Sequence, residues 1–184
     1  MELISLFTRR DERTRLEQQR RRLYRLAYSW CRDGSLAEDL VQETLIKAIE
    51  RAKQLRDPER LPAWLAAILA NCWRDHLRRL KPNDDIAELD ETLFADTDKS
   101  PEAEAECNQM VARVRSEIAA LPVGQRQVLT LVDLEEFSYA EVAAILEIPV
   151  GTVMSRLCRA RQALKERLAS ARDRHLAPAL RSVK

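Results

Sequence analysis

Residues 138–164 read SYAEVAAILEIPVGTVMSRLCRARQAL, and the reading of this stretch decides the fold. Ser138 and Glu141 have the spacing of a capping box, which opens a helix by satisfying its first orphan N–H groups. Pro149 then restarts the chain into a second helix. Ala143 is small where the two helices must cross closely. Val153, ten residues later, faces back, and Ile148 fills the corner between them. Val142, Ile145, Val153, Leu157, Ala160 and Leu164 form the shared apolar core. Thr152, Ser155, Arg156 and Arg159 fall at i, i+3, i+4 and i+7 and share the opposite face. This is the pattern of a helix-turn-helix, whose second helix enters the major groove and offers hydroxyls and guanidiniums to bases and phosphates. A helical hairpin with a solvated basic face is the plainer alternative. Glu147 occupies the turn where many such motifs place glycine, and Met154 sits among the outward residues.

Outward from this stretch, the composition favours helices. The 184 residues include three glycines and few aromatics, a usage that opposes strands and glycine-rich phosphate loops. No window approaches eighteen consecutive apolar residues, and the N-terminal apolar run is too short for a secretory signal. A cytoplasmic protein without membrane insertion is expected. Cys31, Cys72, Cys107 and Cys158 form no CxxC pair, and His76 and His175 complete no ligand cluster. Buried free thiols are expected, with no metal, no cofactor and no catalytic residue.

The net charge of +1 conceals a pattern. Residues 1–80 hold 17 Lys/Arg against 12 Asp/Glu, residues 81–120 hold 4 against 11, and residues 121–184 hold 10 against 7. Two mildly basic blocks flank an acidic one. A free-standing DNA binder draws most of its affinity from phosphate neutralisation and is usually more basic, so this chain is not expected to hold DNA alone. The acidic stretch KPNDDIAELDETLFADTDKSP (residues 81–101) lacks helical periodicity and has a proline near each end. The expected class is therefore all-α: two small helical domains joined by a flexible acidic linker, the second carrying the helix-turn-helix. Their bounds are 1–80 and 104–170, with a linker over 81–103 and a tail over 171–184.

The first domain carries two further constellations. A helix from about Glu12 to Cys31 presents Leu16, Leu23, Leu26, Ala27 and Trp30 on one stripe. Ser35 and Glu38 have capping-box spacing for the next helix, where Val41, Leu45, Ala48 and Ala52 face inward. Its outer face carries Glu38, Asp39, Gln42 and Glu43, a surface that repels DNA and suits a basic protein partner; a merely solvated face is the default for such charges. After a break at LRDPERLP, a third helix begins near Pro62 and runs to about Leu80. Leu65, Ile68, Leu69 and Cys72 face the core, and Trp64, Asn71, Arg74, Asp75 and Arg78 share an outer stripe. An aromatic, an amide and arginines together suit unpaired bases, although Trp64 is equally readable as half-buried core.

Taken in order, AEDLVQETLIKA, PAWLAAILANCWRDHLRR, the acidic linker and LPVGQRQVLTLVDLEEFSYAEVAAILEIPVGTVMSRLCRAR resemble the extracytoplasmic-function sigma factors of bacterial RNA polymerase, over about residues 10–168. The resemblance implies one domain for the promoter −10 element, one for −35, and a linker that threads through the polymerase. It implies that Asp39, Leu40, Gln42 and Glu43 dock on the beta-prime coiled coil, with the beta subunit as a further contact. Residues Leu55 to Leu61, including Arg56, match the loop that captures a flipped base of the −10 strand, and Asn71 matches an amide that holds it. Trp64, Arg74 and Arg78 would line the melting strand, while Thr152, Met154, Ser155, Arg156 and Arg159 would face −35 duplex. Family members are commonly held by an anti-sigma factor, and a free monomer is expected. Two departures bear on promoter choice: Leu55-Arg56-Asp57-Pro58 replaces a frequent Phe-Arg-Gly, and Met154 stands where arginine is frequent. A stand-alone helix-turn-helix regulator is the rival reading, and it leaves AEDLVQET without a role.

Overall fold

The computed structural model describes the backbone of residues 10–55, 57–80 and 107–179, and side-chain surroundings of residues 18–55, 57–80 and 111–169. The expected linker and all of the tail's side chains lie outside the described residues, as does Arg56. All regular elements described are helical. In chain order they are α1 (Arg10–Cys31), α2 (Gly34–Glu50), two 3-10 turns (Ala52–Gln54 and Pro58–Arg60), α3 (Leu61–Leu80), α4 (Cys107–Ala119), α5 (Val123–Leu129), a π-helical turn (Thr130–Leu134), α6 (Tyr139–Leu146) and α7 (Val150–Ala179).

α1, α2 and α3 pack on one another as a three-helix unit, and α7 packs on α4, α5 and α6 as a second unit. The expected apolar stripes form the cores: Leu23, Leu26, Ala27, Trp30, Val41, Ala48, Leu65, Ile68, Leu69 and Cys72 are buried in the first. Val142, Ile145, Val153, Leu157 and Ala160 are buried in the second. Helix boundaries follow local chemistry. The N-cap of α2 is Asp33, whose carboxylate accepts from the Leu36 N–H at 2.9 Å, rather than the expected Ser35. Aspartate caps as well as serine, and Arg32 at φ 59° turns the chain so that Asp33 arrives first. Thr44 is fully buried and returns its hydroxyl to the Leu40 carbonyl at 2.7 Å, the usual way a helix hides a threonine. The break before α3 is filled by the two 3-10 turns, the second capped by Asp57 on the Glu59 N–H.

The two units are in direct contact, α3 against α6 and α1 against α5 and the π-turn, and their buried residues form one continuous cluster. The seam is polar at its centre. The Trp30 indole N–H donates to Thr130 Oγ1 at 2.8 Å, and that hydroxyl donates to the Arg126 carbonyl at 2.9 Å. The Arg126 guanidinium, 2 % exposed, donates to the Trp30 carbonyl at 2.8 Å and the Leu121 carbonyl at 2.9 Å. At the rim, Arg22 pairs with Glu135 and lies over the Phe137 ring. The π-turn places Thr130: the Glu135 N–H reaches back to the Thr130 carbonyl, one residue further than in an α-helix.

The thiols divide. Cys31 and Cys72 are buried, and burial raises both pKa values, Cys31 to about 11. Cys158 is exposed on α7, against the expectation that all four were buried, because it lies away from the Val153–Leu157–Ala160 stripe. Cys107 falls outside the described side chains.

Two outcomes follow from this packing. Thr130→Val preserves shape but orphans the buried indole N–H, and should lower the denaturant-measured unfolding free energy by about 1–3 kcal/mol; unchanged stability would contradict the seam. A thiol-alkylating reagent near neutral pH should modify Cys158 in the folded chain, with Cys31 and Cys72 reacting only on unfolding, as read by peptide mass mapping.

Candidate functional site

The helix-turn-helix is built as its sequence predicts. Both arms of the capping box are present: the Glu141 N–H donates to Ser138 Oγ at 3.3 Å, and the Ser138 N–H donates to the Glu141 carboxylate at 2.8 Å. These hydrogen bonds from Ser138 hold the Glu141 pKa below its ordinary value. α6 ends at Leu146, and Glu147 takes the left-handed conformation at φ 57°, ψ 44°, with its N–H bonded to the Ala143 carbonyl. A glycine adopts this conformation freely, whereas a residue with a Cβ bears a cost of about 1 kcal/mol. The Pro149 carbonyl then accepts from the Thr152 and Val153 N–H groups and starts α7.

On α7 the outward arc holds Ser155, Arg159 and Cys158, all exposed, with Thr152 half-buried at its edge. The Ser155 hydroxyl donates back to the Thr152 carbonyl at 3.1 Å. Met154 is 54 % exposed and flanks an open groove of about 380 Å³ shared with Tyr139, Cys158, Arg161, Gln162 and Lys165. Arg156 departs from the expected stripe. It is half-buried, and its guanidinium lies over Gly124 of α5, where an added Cβ would meet it at 3.2 Å. One step round the helix from Ser155, it leans against the partner helix and braces α7. Arg161 is tied to Asp133, at 2.6 Å in its shortest contact. The sequence reading missed Cys158, although its i+4 spacing from Met154 was the available signal.

On α2, Asp39 and Gln42 are exposed, and Ile46 and Ile49 continue the same stripe at 57 % and 52 % exposure. Leu40, expected on this surface, is 2 % exposed and belongs to the core, so it supports the helix from beneath. Glu43 is half-buried and pairs with Lys47 at 2.7 Å, a bond that raises the Lys47 pKa. The two isoleucines went unnoticed because the charges beside them drew the reading.

On α3, Trp64 is half-buried and packed against the core, and Asp75 and Arg78 are exposed. Asn71 Oδ1 is buried with no hydrogen-bond partner among the described residues. Leu55 and Leu61 are half-buried at the two ends of the loop. Arg74 is turned into the seam: it donates to the Glu147 carboxylate at 2.8 Å and to the Leu146 carbonyl at 2.9 Å. His76 stacks on Trp73, and burial lowers its pKa. Among the described residues no three His, Cys, Asp or Glu side chains are grouped to hold a metal. No described helix is long and apolar enough to cross a membrane.

This arrangement matches known proteins over nearly its whole length. Residues 16–82 match the model of Sigma-70 region 2, and residues 112–164 match that of Sigma-70, region 4. The chain is 36 % identical over 138 residues to the ECF RNA polymerase sigma factor EcfG of Rhodopseudomonas palustris, covering 75 % of this chain and 74 % of that one. It is 34 % identical over 144 residues to the ECF RNA polymerase sigma factor SigM of Bacillus subtilis, covering 78 % and 86 %. Among solved structures, the sigma factor RpoE in complex with the anti-sigma factor NepR from Bartonella quintana superposes with a TM-score of 0.70 at 28 % identity, covering 88 % of this chain and 98 % of that one. With both sigma regions in order, and relatives this similar over most of their length, the chain belongs to the ECF family of RNA polymerase sigma factors.

Proposed function

We propose that this chain docks on core RNA polymerase through the outer face of α2 and directs it to a restricted promoter set. Residues 1–80 carry polymerase docking and the −10 element, and residues 104–170 carry the −35 element. The observation that carries the reading is the coexistence, in one chain, of the exposed Asp39–Gln42–Ile46–Ile49 stripe and the exposed outward arc of the helix-turn-helix. A stand-alone regulator has no use for the first surface.

The mechanism is differential binding, with no bond made or broken by the chain itself. The −35 duplex is read by Thr152, Ser155 and Arg159, with Met154 offering an apolar contact of the kind that suits a thymine methyl. Arg156 supports that face from its place over Gly124. Opening at −10 is drawn forward because only the melted strand can enter the surface of α3. Flipping a base costs on the order of a few kcal/mol, which a pocket offsets. Asn71, half-buried on α3, is the amide that would help hold the captured base once the site opens. Leu55 and Leu61 flank the entrance, and Trp64, Arg74 and Arg78 follow the strand. The near-neutral net charge fits a subunit that borrows nonspecific DNA affinity from the polymerase. By analogy with the RpoE–NepR complex, an anti-sigma factor holds the chain inactive in the cytoplasm.

Promoter-specific run-off transcription with core enzyme tests this reading. The chain should confer initiation at a small set of promoters; tight DNA binding without polymerase and no activity with it would favour the stand-alone regulator. Replacing Asp39 and Glu43 together by arginine should weaken polymerase binding by about tenfold or more with the circular dichroism spectrum unchanged. Persistent binding would remove the α2 face from the account. Met154→Arg should shift −35 preference or steepen the salt dependence of initiation without changing the dependence on core enzyme.

A further inference from the structure

The two promoter elements that a sigma factor reads lie about 25 base pairs apart, on the order of 85 Å along B-form DNA. The two units described here touch, and a compact chain of this length has a radius of gyration of only about 16 Å. The packed arrangement therefore cannot engage both elements at once, and it must open before initiation. What holds it closed is legible at one contact.

Arg74 of α3 faces α6 in the packed form. Its two terminal nitrogens are taken by two acceptors of the helix-turn-helix corner, Glu147 Oε2 at 2.8 Å and the Leu146 carbonyl at 2.9 Å. The carbonyl is one of those left over at the end of α6, where the helix dipole is negative and favours a cation. The carboxylate presents an anionic oxygen acceptor to the guanidinium, as the non-bridging oxygens of a DNA phosphate do. Glu147 is also the residue of this corner held at φ 57°, where glycine would sit without strain. The chain retains a strained side chain at the point where that side chain meets Arg74.

We propose that Glu147 is an intramolecular stand-in for a DNA phosphate: it latches Arg74 to the helix-turn-helix corner and so favours the closed, promoter-incompetent form of the free sigma factor. The latch is partly exposed, with the Glu147 side chain at 60 % and Arg74 at 22 %, so salt weakens it. It lies at the edge of the seam, whereas the Trp30–Thr130–Arg126 contacts lie inside it. Removing the carboxylate thus loosens closure without dismantling either core. The role of Arg74 toward DNA rests on the function proposed above; the latch itself does not.

Small-angle scattering of the full chain, paired with titration against core polymerase, tests the latch without DNA. Glu147→Gln removes the charge alone, and Glu147→Gly removes the side chain and relieves the backbone. Both should raise the radius of gyration at low salt, where the wild-type chain stays compact until salt is added. Both should lower the core polymerase concentration for half-maximal binding by about two- to fivefold, the range of a partly exposed ion pair. Glu166→Gln, a charge loss on exposed α7 outside the seam, should change neither quantity. Variants as compact as wild type, or opened variants with unchanged polymerase affinity, would overturn the proposal. Normal run-off in Arg74→Ala would remove Arg74 from the −10 assignment and leave the compaction of the free wild-type chain untouched, so the two failures are distinguishable.

Discussion

The buried guanidinium of Arg126 governs how this chain is put together. It reaches from the second helical unit to the Trp30 carbonyl at the end of α1 and back to the Leu121 carbonyl of its own unit. An arginine taken out of water is costly unless its N–H groups find acceptors, and here the acceptors come from both units. Trp30 and Thr130 answer in kind, so that the centre of the seam is a connected set of hydrogen-bonded polar groups within a cluster of buried apolar residues that includes Leu26, Leu121 and Leu131. Separation of the units returns every one of these groups to water. A seam made of leucine alone would offer no such compensation, which is why a polar centre suits an interface that must come apart.

The rest of the molecule reads as a consequence. With α3 laid against α6, the α3 surface proposed to face −10 is partly covered at Arg74, while the α2 stripe proposed for docking and the outward arc of α7 stay exposed. On the proposed function, a partner that grips α2 meets the closed chain first, and the energy of that docking can be set against the seam. The same logic accommodates an antagonist. The solved relative RpoE is held with its anti-sigma factor NepR, and this chain superposes on it across both units at once. Stabilising the packed arrangement is a sufficient means of silence when the two promoter elements lie further apart than the packed units can span.

Much of this was legible in the sequence, because it rested on local chemistry with a fixed period. The capping box at Ser138, the core stripe of α7, the break around Pro58 and the proline-started third helix all follow from residue type and spacing. The errors have physical sources. Ser35 lost the cap of α2 to Asp33 because the left-handed Arg32 brings the aspartate into place first. Leu40 was placed on the docking face by similarity, although its neighbours in the helical period are core. Arg156 shares a stripe with Ser155 on paper, yet Gly124 leaves a hollow in α5 that its guanidinium fills. None of the contacts between the units was foreseeable from periodicity: Arg22 with Glu135, Trp30 with Thr130 and Arg74 with Glu147 join residues far apart in sequence. Glu147 in the turn was visible from the start; only the fold shows what it faces.

On the function and latch proposed above, the chain is closed when free and extended on the promoter. The most direct measurement is a pulsed dipolar distance between labels introduced as unnatural amino acids at Glu59 and Gln162, exposed positions on the two units. A short, narrow distribution is predicted for the free chain. Addition of core polymerase and promoter DNA should replace it with one longer by several tens of ångströms, in keeping with a separation of elements on the order of 85 Å. A free chain already showing the long distribution, or a promoter complex retaining the short one, would contradict the account.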